Sequence, residues 1–445
     1  MHYSGKVIGM KERAVRSEEL RDAGSLAGTT LGYVAEVAQD VHRAIAHRLF
    51  GLAGARAEPI RLMHDGIAAL AHGSTRLGVR YLPPVAGAVA AALRDPAAES
   101  VHELHRGRVV LGAINGIIGD QVADDQPALA PLLRLRVHGG KLRRVPANLV
   151  EDARERGDAT GRLVIFVHGL CETDLCWSFA AERRWGDRSH TYGSMLRSDD
   201  GWTPLYVNFN TGEHVSDNGR ELADFLEDLL PQWPVRVTEL AIVGHSLGGL
   251  VARSAAHQAD ARGQTWVEPL RHVVGLGAPH LGAPLERFTN WGSHRLARHP
   301  ETRPLATFLN RRSVGIKDLR YGAILEEDWL GFDPDELLTD HCTEPTLLPG
   351  VAYSVASATL SREPEGIFAT DLLVQHSSAH GIGKVRSIPF DRSRAFHLGG
   401  RKHHFDLLAS QEVYDQLRSW LAGADGAGQE PAERVRRRGF RRRAS

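Results

Sequence analysis

Cysteine is scarce in this chain: Cys171, Cys176 and Cys342 are the three among 445 residues. An odd count at that density excludes a disulfide-built scaffold and predicts reduced thiols. The spacing of Cys171 and Cys176 tolerates a bridge. No Cys/His quartet at zinc spacing accompanies them, so packed thiols are the expectation, with no metal and no cofactor. Long apolar runs are missing as well. The most apolar window, Tyr81 to Leu93, holds Pro83-Pro84 and falls short of the roughly 18 residues of a spanning helix, which predicts a buried or interfacial helix. The start, Met1-His2-Tyr3-Ser4-Gly5-Lys6, meets charged residues without the apolar stretch of about 7–15 residues that marks a signal peptide. A cytoplasmic location is the expectation. Net charge is absent too, with 54 basic and 54 acidic residues, which argues against a surface built to hold nucleic acid. That zero is a sum of unlike parts. Residues 434–445 carry seven arginines and no acid, leaving 47 basic against 54 acidic residues, a net of −7, in the rest. The basic tail predicts at most weak contact with an anionic membrane surface.

What is present is an ordinary globular composition, 42% hydrophobic and 24% charged, in a chain long for one domain. Residues 1–125 read as a helical accessory region. Val34, Val37, Val41, Ile45 and Leu49 recur at three- and four-residue steps up to Gly51, and Ile60–Leu77 and Val109–Ile118 have similar character. Pro83-Pro84 and Asp95-Pro96 are expected breaks. The period then changes. Leu133, Leu135 and Val137 alternate with polar residues ahead of Gly139-Gly140, Leu142 and Val145, which predicts a β-hairpin. Residues 151–161, charged and glycine-containing, read as a loop. Beyond them β-runs and helical runs alternate, the pattern of a mostly parallel sheet flanked by helices. The strands are expected at 163–167, 205–209, 240–243, 273–276, 351–355 and 395–398, with helices over 218–230 and from Ser410 to Leu421. Residues 285–349 break the alternation and are too long for a structureless loop, so a helical lid is predicted there.

Gly244-His245-Ser246-Leu247-Gly248-Gly249 fits G-x-S-x-G between a strand and a helix. There a strained turn lifts the serine hydroxyl above the sheet, and Ser246 is the candidate nucleophile. His168-Gly169-Leu170 ends the strand 163–167 beside it, so the backbone N–H groups of Leu170 and Leu247 are the candidate oxyanion donors. Where such a serine is served by an acid and then a histidine in chain order, the base falls just before the last helix, at His403 or His404, with His404 preferred. His397 lies within an expected strand. The acid is expected after the strand 351–355: Asp371 in Thr370-Asp371-Leu372-Leu373-Val374, with Glu363, Glu365 and Asp391 as competitors. Trp177, Trp291 and Phe308 are candidates for an acyl pocket.

These segments, together with Leu276-Gly277-Ala278-Pro279-His280-Leu281-Gly282-Ala283-Pro284, resemble the lipase-like α/β-hydrolases related to GPI inositol-deacylases. The resemblance covers roughly residues 160–421 and places Asp371 in an Asp-x-Leu-Val setting and His404 in a His-x-x-Leu-Leu setting. The chain is thus expected to hold a helical region over 1–125, an α/β-hydrolase domain over 126–421 and a disordered basic tail over 422–445. The resemblance implies hydrolysis of a small acyl ester or lipid through Ser246, Asp371 and His404. The GPI enzymes are membrane-embedded, whereas this chain has no expected span, which argues against GPI itself as substrate. The same triad would serve an acyltransferase or a thioesterase, and a non-catalytic lipid-binding module on the same scaffold is the reading from another class.

Overall fold

A computed structural model describes residues 2–53, 58–93, 100–361 and 370–423, with side chains from residue 17 onward except 51–53 and 59–60. Asp95-Pro96, Glu363, Glu365 and the arginine tail lie outside the described residues. Three helices come first: α1 (His2–Ala53), α2 (Glu58–Leu93) and α3 (His105–Asp125). Strand β1 (Arg134–Val137) and helix α4 (Pro146–Arg156) lead into β2 (Arg162–Val167). Short helices α5 (Ala181–Trp185) and α6 (Tyr192–Asp200) precede β3 (Thr203–Asn208), followed by α7 (Val215–Leu229), β4 (Glu239–His245), α8 (Leu247–Ala261) and β5 (Leu270–Leu276). An insertion then carries α9 (Pro284–Leu296), α10 (Arg303–Asn310) and α11 (Val314–Asp318). The chain returns through β6 (Ala352–Ala358), α12 (His376–Ala379), β7 (Ala395–Leu398) and α13 (Gln411–Ala422).

The strands form one sheet in the order β1-β3-β2-β4-β5-β6-β7. β1 is antiparallel to β3, and every later pair is parallel. This is the α/β-hydrolase arrangement, a mostly parallel sheet flanked by helices, with the N-terminal helices ahead of it. Because successive side chains on a strand point to opposite faces, β2 divides its apolar run between two cores. Leu163, Ile165 and Val167 pack with α4, α7 and α8, while Val164 and Phe166 pack with α6 and α13. On α7, Leu222, Leu226 and Leu229 are fully buried, and each such side chain contributes about 1.5–3 kcal/mol.

Three local expectations are corrected. The hairpin shrinks to a single bridge between Leu135 and Arg143. Pro146, which cannot donate to a ladder, starts α4 immediately afterwards, and β1 pairs with β3 instead. The expected loop over 151–161 is mostly that helix: Leu149, Val150 and Ala153 form its buried face, and Gly157 closes it at φ 64°. Charge on the outer face concealed the periodicity. Pro83 and Pro84 lie inside α2 rather than ending it. The turn that holds them rests on Gly24 and Gly28 of α1, so helix–helix packing offsets the lost N–H donors. The window Tyr81–Leu93 is accordingly helical but not buried: Tyr81, Leu82, Val85, Val89 and Leu93 are exposed.

Helix α3 joins the N-terminal region to the sheet. Its glycine face meets the loop after β2 so closely that a Cβ at Gly116 would lie 2.2 Å from Cys171 Sγ and one at Gly112 would lie 2.7 Å from Thr173. Asn210 donates to the Gly119 carbonyl at 2.9 Å, and the Ser313 N–H and hydroxyl donate to the Ile117 and Gly116 carbonyls, each at 2.7 Å. Arg108 and Arg136 both pair with the buried carboxylate of Asp174 in the same loop.

Candidate active site

β4 ends at His245, and α8 begins at Leu247, so Ser246 must reverse the chain alone. It does so at φ 52°, ψ −124°. A non-glycine residue held at such angles stores about 1–3 kcal/mol of strain. The turn is possible because a Cβ at Gly248 would fall 2.3 Å from the Val167 carbonyl and one at Gly244 would fall 2.4 Å from Gly248. The Ser246 N–H donates to the Leu276 carbonyl at 2.9 Å, which ties the elbow to the end of β5.

Asp371 and His404 meet at that same edge. Asp371 lies in a turn closed by the Thr370–Gln375 bridge, five residues before α12, and is not the N-cap of that helix. Its Oδ1 accepts the N–H groups of Leu373 at 2.9 Å and Val374 at 2.8 Å. Its Oδ2 lies 2.6 Å from His404 Nδ1. Both side chains are buried. With one oxygen fixed by the backbone, the other orients the imidazole. His404 Nε2 is buried and has no hydrogen-bond partner among the described residues. The Cε1 beside it packs over Gly277, directly after the β5 end that holds Ser246.

The competing residues point elsewhere. The His403 side chain is half-exposed and faces Asp406 at 3.5 Å. His397 bonds Thr359 at 2.8 Å, and Asp391 caps the turn at Ser393. Leu170 and Leu247 flank Ser246 on two different segments, and neither N–H is taken by a backbone acceptor among the described residues. Trp177 is buried in the core, edge-on to Phe166 at 4.8 Å. Trp291 and Phe308 are exposed on the insertion. The three cysteines are free thiols.

One pair escaped the sequence reading. Glu172 accepts the Gly169 N–H at 2.6 Å and faces His245 Nδ1 at 3.0 Å. The ring of His245 lies 4.7 Å from that of His404. Burial works to raise the Glu172 carboxyl, but the His245 charge and the Gly169 N–H outweigh it and bring it down to about 2. Burial likewise opposes charge on His245, and the Glu172 carboxylate raises it nonetheless. A buried ion pair thus links the Gly169–Leu170 turn to the residue before Ser246. The sequence signal was an acid four residues after His168 with a histidine inside the elbow, but only folding shows that they meet. His168 itself is held neutral, its value lowered to about 4 chiefly by burial, and stacks on Phe209.

One family model matches part of the chain. Residues 158–331 match the family model described as the PGAP1-like alpha/beta domain. This is the family that the motifs resemble; the segment contains Leu170, Ser246 and Leu247, while Asp371 and His404 lie beyond it. No curated protein matches the chain. Similar solved structures include a Bacillus licheniformis lipase in mature form (18% identity, 58% of this chain and 91% of that one, TM-score 0.35). A Pyrobaculum calidifontis esterase (15%, 77% and 97%, 0.36) and a Bacillus subtilis carboxylesterase (12%, 59% and 84%, 0.31) are others.

Proposed function

On the premise of a PGAP1-like α/β domain over residues 158–331, we propose that this protein is a serine hydrolase of carboxylic esters. One observation carries the reading: a buried Asp371–His404 pair leaves Nε2 without a partner among the described residues, over Gly277 at the end of the strand to which the strained Ser246 is tied. In the first step the Ser246 Oγ attacks the ester carbonyl carbon while His404 Nε2 takes the hydroxyl proton. The Leu170 and Leu247 N–H groups receive the oxyanion, and Asp371 stabilises the imidazolium. Collapse breaks the bond to the alcohol, which leaves with the proton from Nε2. A water molecule then gives its proton to His404, adds to the acyl-enzyme and releases the acid.

Residues 285–349 are proposed as the lid, because α9, α10 and α11 follow the end of β5 and α9 presents Leu285, Phe288 and Trp291 to solvent. An acyl-ester or lipid substrate fits that apolar surface. No helix among the described residues is long and apolar enough to cross a membrane. The test is labelling with a fluorophosphonate probe. Wild type should label and Ser246→Ala should not; equal labelling of the two would refute the assignment.

A further inference from the structure

A cavity of about 830 Å³ lies between α1, α3 and the end of α10. Such a volume is in the range of small-molecule sites, about 300–1,000 Å³. Its walls are mostly apolar, with Leu26 and Leu31 from α1, Ile114 and Ile118 from α3, and Phe308 and Leu309 from α10. The α3 residues that line it alternate with Gly112 and Gly116, which face the loop after β2. At 3.6 residues per turn those are opposite sides of the helix, so α3 separates the cavity from the triad.

The wall also holds a cation. Arg311 stacks its guanidinium on the Tyr33 ring, with Cζ 3.4 Å from the centroid. Its Nη1 is buried without a hydrogen-bond partner among the described residues. Neighbouring Arg312 is satisfied by two bonds to Glu286, at 2.8 and 2.7 Å. Gln121 donates to the Arg311 carbonyl at 2.6 Å and holds that segment against α3. Asp125, the acid on the lining, is exposed to solvent. A buried guanidinium donor without an acceptor is unfavourable, and a carboxylate or phosphate is the group its planar fork matches.

We propose that this cavity binds an amphiphile with one long alkyl chain and an anionic head, the chain lying among the aliphatic residues and the head on Arg311. The inference rests on the cavity and Arg311 alone and not on ester hydrolysis. It is tested by titrating the full-length Ser246→Ala protein, in a calorimeter and below the micelle threshold, with octanoate, dodecanoate, hexadecanoate, hexadecyl phosphate and hexadecanol. One saturable site is expected, with affinity rising about tenfold for each two methylenes added to the carboxylate.

Arg311→Gln should weaken hexadecanoate at least about tenfold while leaving hexadecanol binding unchanged. Tighter binding of hexadecyl phosphate than of hexadecanoate would assign the head as a phosphate, and the reverse as a carboxylate. Ile114→Trp, which pushes a bulky ring into the cavity from α3, should weaken binding of every ligand and the longest chains most, with thermal melts of both variants reporting their folding. Absence of saturable binding, affinity independent of chain length, or equal loss of hexadecanol and hexadecanoate in Arg311→Gln overturns the proposal. Loss of fluorophosphonate labelling in wild type, with this binding intact, would instead count against the esterase reading.

Discussion

Ser246 sits at backbone angles that serine adopts only when its surroundings force it. Removing its hydroxyl relieves none of that strain, so Ser246→Ala should fold normally and lose at least about a thousandfold in kcat on p-nitrophenyl esters. His404→Ala should fall comparably, and His403→Ala should stay near wild type because that ring faces solvent and Asp406. The opposite pattern would move the base to His403. Asp371→Asn should cost about ten-thousandfold in kcat by freeing the wrong imidazole tautomer, with urea unfolding unchanged if only orientation is lost. The Glu172–His245 pair makes a separate prediction. Glu172 is lowered from 4.5 to about 2, so its stabilisation is present above pH 4.5 and is lost as pH falls toward 2. His245 is raised from 6.5, so its share is full below pH 6.5 and is lost as pH rises through the folded value. The pair therefore stabilises most between about pH 4.5 and 6.5. The unfolding free-energy gap between wild type and Glu172→Gln should be widest in that window, and a gap that ignores pH would refute the pairing.

At the scale of elements, legibility followed burial pattern. β2, β4 and β5 were readable because strands covered on both faces are continuous apolar runs, and α7 and α13 because one face of each is apolar. Helix α4 was not, since its charged outer face masks three buried residues, and the hairpin failed because a better partner for β1 lay at β3, about seventy residues on. Helix α3 was legible as a helix, but its use of glycines as a docking face was not. That docking can be tested. Gly116→Ala places a methyl against Cys171 and should destabilise by about 1–3 kcal/mol, read as a lower melting temperature. Esterase activity should fall with it, because the displaced residue adjoins Leu170. Unchanged stability would mean that α3 does not bear on the loop.

On the scale of the whole molecule, the two large apolar clusters contain nothing before Leu133. Among the described residues, the N-terminal helices share a small cluster around Leu26, Leu111, Val122 and Leu129, with Glu19 bonding Ser100 and Asp22 bonding Ala128. A chain beginning at residue 100 should therefore unfold cooperatively, at a lower temperature, and still label with fluorophosphonate. Loss of cooperative unfolding in calorimetry would show that the sheet depends on α1 and α2. The sequence by itself determined the alternation of strands and helices and the elbow at Ser246, and it supplied the candidate order Ser246, Asp371, His404, because local periodicity and turn chemistry act over a few residues. Tertiary structure decided which of two adjacent histidines meets Asp371, that Glu172 and His245 pair beneath the Gly169–Leu170 turn, and that α1, α3 and α10 line a cavity. Each of these depends on contacts between residues far apart in the chain, whose geometry exists only once the chain has folded.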